Sequence, residues 1–313
     1  MASYNGARFI GAQLESFSAQ TRLPDELVVC DDGSTDGTPE LVERFGEAAP
    51  FAVRVERNPE RLGYTKNFER AISLCTGDLV CLSDQDDSWF ADKIASVIAA
   101  FEAHPQAFAT VNDQFIAEDG LTPSGATVFA NTRKLGYGDV DLIAGCCTTL
   151  RRDLLPVLLP IPREIPYDGW IGRLADLLGV KALIERPLQV YRRHGGNTTS
   201  PVVAERAPTT WTILRRFGLD DPRDGWRSNI AQAELYAARI RERRDSVAAI
   251  AGPGAADRAL ARLVAEQAWL QRRLDLLSRP RFSRLPRVVR LWAIGFYKSQ
   301  FGLKSAIKDA IRP

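Results

Sequence analysis

The chain has 313 residues, 45% hydrophobic and 26% charged, with a formal net charge of +2, a balance that excludes disorder over its whole length. Two His and five Cys without a CxxC pair exclude a zinc ribbon, and no apolar run of about 18 residues is present to span a membrane. The odd count of scattered thiols reads as buried free cysteines in a reducing, cytoplasmic compartment.

In chain order, Ile10, Leu14 and Phe17 share one face of a helix within residues 6–20. Glu26 to Cys30 reads as a short buried strand ending in Asp31 and Asp32. Gly33 to Gly37 forms a loop, and Asp36 or Thr38 caps a helix running to about Phe45. Phe51 to Arg57 alternates as a strand, and Thr65 to Cys75 reads as a helix stopped at Gly77. Leu79 to Ser83 is another buried strand, ending in Asp84-Gln85-Asp86-Asp87. A helix over 89–101 and a strand over 108–115 follow. Asp141 to Leu159 reads as a helix with its approach, before a Pro-rich connection through Pro166. A helix from Tyr167 to about Leu178, a strand over 181–185 and a loop over 191–197 close the first part. From Pro208 the pattern is helical, clearest over 230–244 and 258–277. Met1 to Gly6 resembles a strand end and the turn into the first helix. The first strand is therefore expected to be truncated, either by a late start or as a short, frayed strand.

The alternation of helix and strand predicts a mainly parallel sheet covered by helices on both faces. Ligands of such sheets bind beyond the carboxyl ends of the strands, where both acidic clusters stand. Three carboxylates within four residues at 84–87 repel one another, and a hard divalent cation, Mg²⁺ or Mn²⁺, relieves that repulsion. A solvated acidic turn is the alternative for this cluster. The Asp31-Asp32 pair has the chemistry to accept hydrogen bonds from a nucleobase imide or ribose hydroxyls, or to cap a helix.

Taken together, Ser3-Tyr4-Asn5-Gly6, the run from Asp31 to Thr38, Asn58 to Gly63, Gly77-Asp78 and the run from Leu82 to Trp89 resemble glycosyltransferase family 2, whose fold is GT-A. The Ser-Asp-Gln-Asp-Asp-x-Trp form and the later run Tyr191-Arg192-Arg193-His194-Gly195-Gly196-Asn197 resemble its rhamnosyltransferase-like bacterial branch, which builds surface polysaccharide. The resemblance covers about residues 1–200. It implies nucleotide-sugar contacts at Ser3, Tyr4, Asp31, Asp32, Asp84 and Arg193, with Asp32 at the base. It implies a metal held by Asp86, with Asp84 and His194 beside it, and a catalytic base at Asp168. Helix capping is the alternative role for Asp168, and a structural role the alternative for His194. The implied reaction is inverting, metal-dependent transfer of a sugar, rhamnose from dTDP-rhamnose, to a polysaccharide or lipid-linked glycan. A UDP-hexose donor is the alternative, as is an inactive relative that only binds nucleotide or glycan. A nicotinamide-type Rossmann enzyme is disfavoured by the lack of GxGxxG after a strand.

Charge divides the chain. Residues 1–204 hold 19 basic and 28 acidic side chains, whereas 205–313 hold 22 and 11. The expected organisation is a catalytic domain over 1–204 and a basic helical region over 205–313. The segment from Arg279 mixes cations with Leu, Val, Trp and Phe, which suits either a helix on an anionic membrane surface or an amphipathic helix packed on the protein. No nucleic-acid partner is expected, since the aromatics do not recur in a stacking pattern.

Overall fold

The computed structural model describes residues 1–118, 120–195, 221–297 and 303–312. Two compact units are present, Met1–Val203 with Asp245–Ala255, and Ala204–Arg244 with Ala256–Pro313.

In the first unit a three-stranded parallel sheet has the order β1 (Ala2–Ser3), β2 (Glu26–Asp31), β3 (Ala52–Arg57). The run Leu-Val-Val-Cys in β2 is buried on both faces, as a central parallel strand requires. Its cover comes from α1 (Ile10–Ser18), α2 (Thr38–Gly46) and α3 (Tyr64–Leu74). Ile10, Leu14 and Phe17 of α1 pack with Leu27, Val29 and Val42, and the Phe17 ring meets Trp89 edge-on at 4.7 Å. β1 has only two residues, and the Met1 amine donates to the Val28 carbonyl at 2.8 Å.

A five-stranded sheet follows, in the order β4 (Leu79–Cys81), β7 (Thr148–Arg151), β6 (Ala109–Glu118), β8 (Lys181–Arg193), β5 (Ser88–Trp89). β6 and β8 run parallel over nearly their whole length, whereas the antiparallel ladders of β4/β7, β6/β7 and β5/β8 are two or three residues long. The long ladders are therefore the parallel ones, and α4 (Lys93–Ala103), α5 (Val128–Lys134) and α7 (Tyr167–Leu178) pack on β6 and β8, with the short α6 (Leu155–Leu158) against α7. All five cysteines are free.

The segment 141–159 corrects the helical expectation. Two 3-10 turns lead into β7, which sits between β4 and β6, and only Leu155–Leu158 is α-helical. The β-branched Thr148 and Thr149 favour the extended state, and an apolar run this short carries no period to separate strand from helix. The strand expected over 181–185 continues to Arg193, past Pro187, which lies at a register shift against Asp113. Proline is tolerated there because the ladder is already interrupted.

In the second unit the described helices are α8 (Arg223–Glu242), α10 (Ala255–Leu277), α11 (Arg281–Ala293) and α12 (Leu303–Ile311); α9 (Arg244–Ala251) belongs almost wholly to the first unit. The helical pattern read from Pro208 to Asp220 lies outside the described residues. Leu276, Val288, Tyr297 and Ala306 form a core in this unit. Beside it Arg273 donates Nε to the buried Asp309 at 2.7 Å, and the Tyr297 hydroxyl donates to the same carboxylate at 3.1 Å. No described helix is long and apolar enough to cross a membrane.

Candidate active site

Both acidic clusters lie where strands end, but their surroundings differ. Asp31, the last residue of β2, is 1% exposed. It accepts from Ser3 Oγ at 2.9 Å, Gly33 N at 3.1 Å, Ser34 N at 2.8 Å and Ser34 Oγ at 2.5 Å. A carboxylate has about four acceptor positions, so Asp31 is saturated within its own turn. Gly33 supplies the left-handed backbone of that turn, at φ +85°. Asp32 accepts from Asn58 Nδ2 at 2.9 Å, Leu62 N at 2.7 Å and Gly63 N at 2.9 Å, and so ties the 58–63 segment to β2. Ser3, Asp31 and Asp32 thus come together as expected of neighbours on two strand tips, with most of their hydrogen bonding turned inward. The side chain they leave at the surface is Tyr4, 37% exposed, with the Arg61 guanidinium 3.9 Å from its ring centre.

The loop after β4 is joined to this rim by a residue between the two acids. Gln85 Oε1 accepts from Tyr4 N and its Nε2 donates to Tyr4 O, both at 3.0 Å. A Cβ at position 6 would lie 2.2 Å from Gln85 Oε1, so the close approach depends on Gly6.

Asp86 Oδ2 lies 2.9 Å from His194 Nε2. The imidazole stacks on Phe9 at 4.2 Å, and Arg192 places its guanidinium 5.0 Å from the same ring while donating Nε to the Asp86 carbonyl. Alternation along β8 sends Arg193 to the opposite face from Arg192. Arg192 meets the acidic loop through its bond to the Asp86 carbonyl. Gly196 and Asn197 of the same motif lie outside the described residues.

Burial, with Asp86 next, pushes the Asp84 carboxyl up to about 7. Asp87 is wholly buried, and burial with the charges of Asp84 and Asp86 drives its carboxyl well above the ordinary range. It accepts from Gln189 Nε2 at 2.9 Å and Arg192 N at 3.3 Å. Behind it Lys93, 1% exposed, donates to Gln189 Oε1 and to the Cys146 carbonyl. Asp84, Asp87 and the Cys146 thiol offer donor atoms within 4.8 Å of one another. The acids of this loop suit a hard cation, which removes the repulsion that raises their pKa values; a thiol is the softer donor and suits Mg²⁺ poorly.

Asp168 stands in the first turn of α7, close enough for its charge to act on Asp84. The N-cap of that helix is Pro166, so Asp168 does not hold the capping position. Its Oδ1 accepts from Gly169 N at 2.7 Å, and burial raises its carboxyl. The preceding Tyr167 is buried and stacks on Phe68 at 3.9 Å, and its hydroxyl fills the space a Cβ at Gly145 would need. The structure thus gathers Asp84, Asp86, His194 and Asp168 from the β4–β5 loop, the end of β8 and the start of α7. Asp87 and Arg192, which stand in the same two motifs, join them, as do Phe9, Gln189, Lys93 and Cys146, for which no local sequence signal pairs residues so far apart. A separate groove of about 590 Å³ runs beside Leu62, Lys66, Arg70, Leu159 and Arg163 and contains none of these acids.

An α/β unit with acids at two strand tips is the GT-A architecture, and solved structures of that type superpose on it. TarS of S. aureus in complex with UDP-GlcNAc gives a TM-score of 0.56 at 16% identity, over 85% of this chain and 70% of that one. The mannosyltransferase PcManGT from Pyrobaculum calidifontis, with GDP-Man and Mn²⁺, gives 0.50 at 21%, over 99% and 84%. Residues 1–159 match the model of glycosyl transferase family 2, and the chain belongs to that family. The dTDP-rhamnosyl transferase RfbG of Shigella flexneri is 37% identical over 102 residues, 31% of this chain and 35% of its own. The UDP-Glc:alpha-D-GlcNAc-diphosphoundecaprenol beta-1,3-glucosyltransferase WfaP of Escherichia coli is 25% identical over 226 residues, 70% of this chain and 85% of its own. An uncharacterized protein of Mycobacterium tuberculosis is 27% identical over 199 residues; the match takes in 61% of this chain and 57% of that relative's length.

Proposed function

We propose that the chain is an inverting, metal-dependent glycosyltransferase that moves rhamnose from dTDP-rhamnose to a polysaccharide or lipid-linked glycan. The convergence of Asp84, Asp86, His194 and Asp168 from three separate segments carries this reading. Asp86, with Asp84 and His194, would hold Mg²⁺ or Mn²⁺, and such an ion stabilises the negative charge that develops on a departing nucleotide diphosphate. Tyr4, steadied by Arg61, presents a ring face to the base, while Ser3, Asp31 and Asp32 shape the rim that receives the nucleoside. Arg192 and Arg193 are the cations at the strand end from which phosphate oxygens would be reached.

Asp168 accepts the proton of the acceptor hydroxyl as that oxygen attacks C1 of the sugar. Its raised pKa makes the carboxylate a stronger base than an exposed Asp, and its place in the first turn of α7 keeps the charged form accessible. One displacement at C1 inverts the anomeric centre. No covalent intermediate is required.

The rhamnose donor is supported by the match to the rhamnosyl transferase, which covers a third of each chain. The longer match to a UDP-Glc-using enzyme supports the UDP-hexose alternative, and its diphosphoundecaprenol acceptor supports a lipid-linked glycan at the inner face of the cell membrane. A panel of dTDP-rhamnose, UDP-Glc, UDP-GlcNAc and GDP-Man with Mg²⁺ or Mn²⁺ tests the proposal through nucleotide diphosphate release. Selective turnover of dTDP-rhamnose is expected. Selective turnover of UDP-Glc overturns the donor, and tight binding of any of them without turnover identifies the inactive relative.

A further inference from the structure

α11 divides into three sectors at about 100° per residue. Arg284, Val288 and Leu291 face inward, with Val288 in the core of the second unit. Phe282, Leu285, Val289 and Trp292 occupy the neighbouring arc, and they are 86%, 59%, 55% and 55% exposed. Arg287 and Arg290 lie on the remaining side, and Arg281 borders the apolar arc from the other direction. Ile294, just past the helix, is 67% exposed and extends the apolar surface. Burial of Val288 packs this helix against its own unit, yet the largest apolar side chains point away from that core. A contiguous apolar stripe left in water calls for a partner.

Charge identifies the partner. Between Asp275 and Asp309 the sequence has no acidic residue and eight basic ones. An apolar stripe with an aromatic near each end, flanked by guanidinium groups and free of carboxylates, is complementary to a bilayer surface bearing anionic headgroups. There Phe and Trp enter the interface and Arg meets phosphate. We infer that the Phe282-Leu285-Val289-Trp292 face of α11 is a docking surface for an anionic lipid bilayer, on which the helix lies in the plane of the interface. This deepens the lipid-linked-acceptor reading and rests on it for its purpose, but the experiment uses vesicles without acceptor or donor, so either can fail alone.

The full chain is sedimented with phosphatidylcholine vesicles and with vesicles in which about a third of the lipid is phosphatidylglycerol. Binding to the second and not the first is expected, weakening with salt. Phe282→Ala with Trp292→Ala is expected to weaken it by about tenfold or more. Arg281→Gln with Arg287→Gln and Arg290→Gln is expected to weaken it by about a hundredfold. All five side chains are exposed, so an unchanged far-ultraviolet spectrum and melting temperature accompany the loss. Trp292→Phe removes a vesicle-induced blue shift of tryptophan emission while retaining most of the binding. Failure to bind anionic vesicles overturns the inference, as does equal binding to both vesicle types or full binding by the Phe282/Trp292 variant. Concentration-dependent dimers that the Phe282/Trp292 substitutions dissolve, without vesicle binding, assign the face to a second copy of the chain and also overturn it.

Discussion

The two strand tips look alike as sequence and behave differently as structure. Asp31 and Asp32 follow an apolar strand, as do Asp84, Asp86 and Asp87. At the first tip, seven hydrogen bonds from backbone and side-chain donors are satisfied by the two carboxylates. At the second, burial and mutual repulsion raise the Asp84 and Asp87 carboxyls. An acid surrounded by donors is a structural tie. An acid surrounded by other acids stores a repulsion that a cation or a proton relieves. The same residue type therefore organises the rim at one tip and carries an unrelieved repulsion at the other.

That contrast is open to direct attack. The largest expected effect is at the proposed base: Asp168→Asn keeps the shape of the side chain and removes the proposed proton acceptor. Transfer should fall by about 10² to 10⁴-fold with donor affinity retained, measured by turnover and by nucleotide binding. Robust turnover would take Asp168 out of the base role. Next, Asp86→Ala should lower metal-dependent turnover by about a hundredfold, and raising the Mn²⁺ concentration should recover part of it. Unchanged metal-dependent turnover would remove Asp86 from the metal set.

Stability separates the tips further. Asp32→Ala strands the donors of Asn58, Leu62 and Gly63, and should cost about 1–3 kcal/mol, read as a lower melting temperature with or without metal. Asp86→Ala gives up the contact with His194 but also removes a repulsion felt by Asp84, so the metal-free protein should lose clearly less stability than Asp32→Ala does. Similar losses from both substitutions would erase the distinction between the tips.

The smallest effect is a pH dependence. The Asp84 carboxyl rises from 3.8 to about 7 on folding, so the folded state binds this proton more tightly than the unfolded chain. The stability it contributes is complete below the lower value and lost as pH rises through the upper one. The melting temperature of metal-free protein should fall by a few degrees between about pH 5 and pH 8. Saturating Mg²⁺ should flatten that slope, and a slope indifferent to the ion would place Asp84 outside its reach.

Much of the site was legible because strand–acid–turn signals are local. Ser3, Asp31, Asp32, Asp84, Asp86, Asp168 and His194 each stand in a short motif that the family resemblance marks. The role of Gln85 was not legible, since its two bonds to Tyr4 depend on bringing the β4 loop beside the first turn. Arg192 and Arg193 look equivalent in the sequence, and only strand alternation in a β8 longer than expected tells them apart. The strand β7 was hidden because a four-residue buried segment has no period of its own; pairing with β4 and β6 makes it extended. Likewise the apolar residues of α11 read as an amphipathic helix with either a lipid or a protein partner. The exposed arc appears only when Val288 and Leu291 are seen to take up the core-facing side.

The sequence by itself determined the α/β alternation, the family and the acids at the strand tips, because propensity, burial pattern and turn chemistry act over a few residues. Tertiary structure alone decided which carboxylates are satisfied and which remain in mutual repulsion, and which face of α11 stays in water. Those outcomes depend on donors, charges and packing surfaces contributed from distant parts of the chain, and no local pattern encodes them.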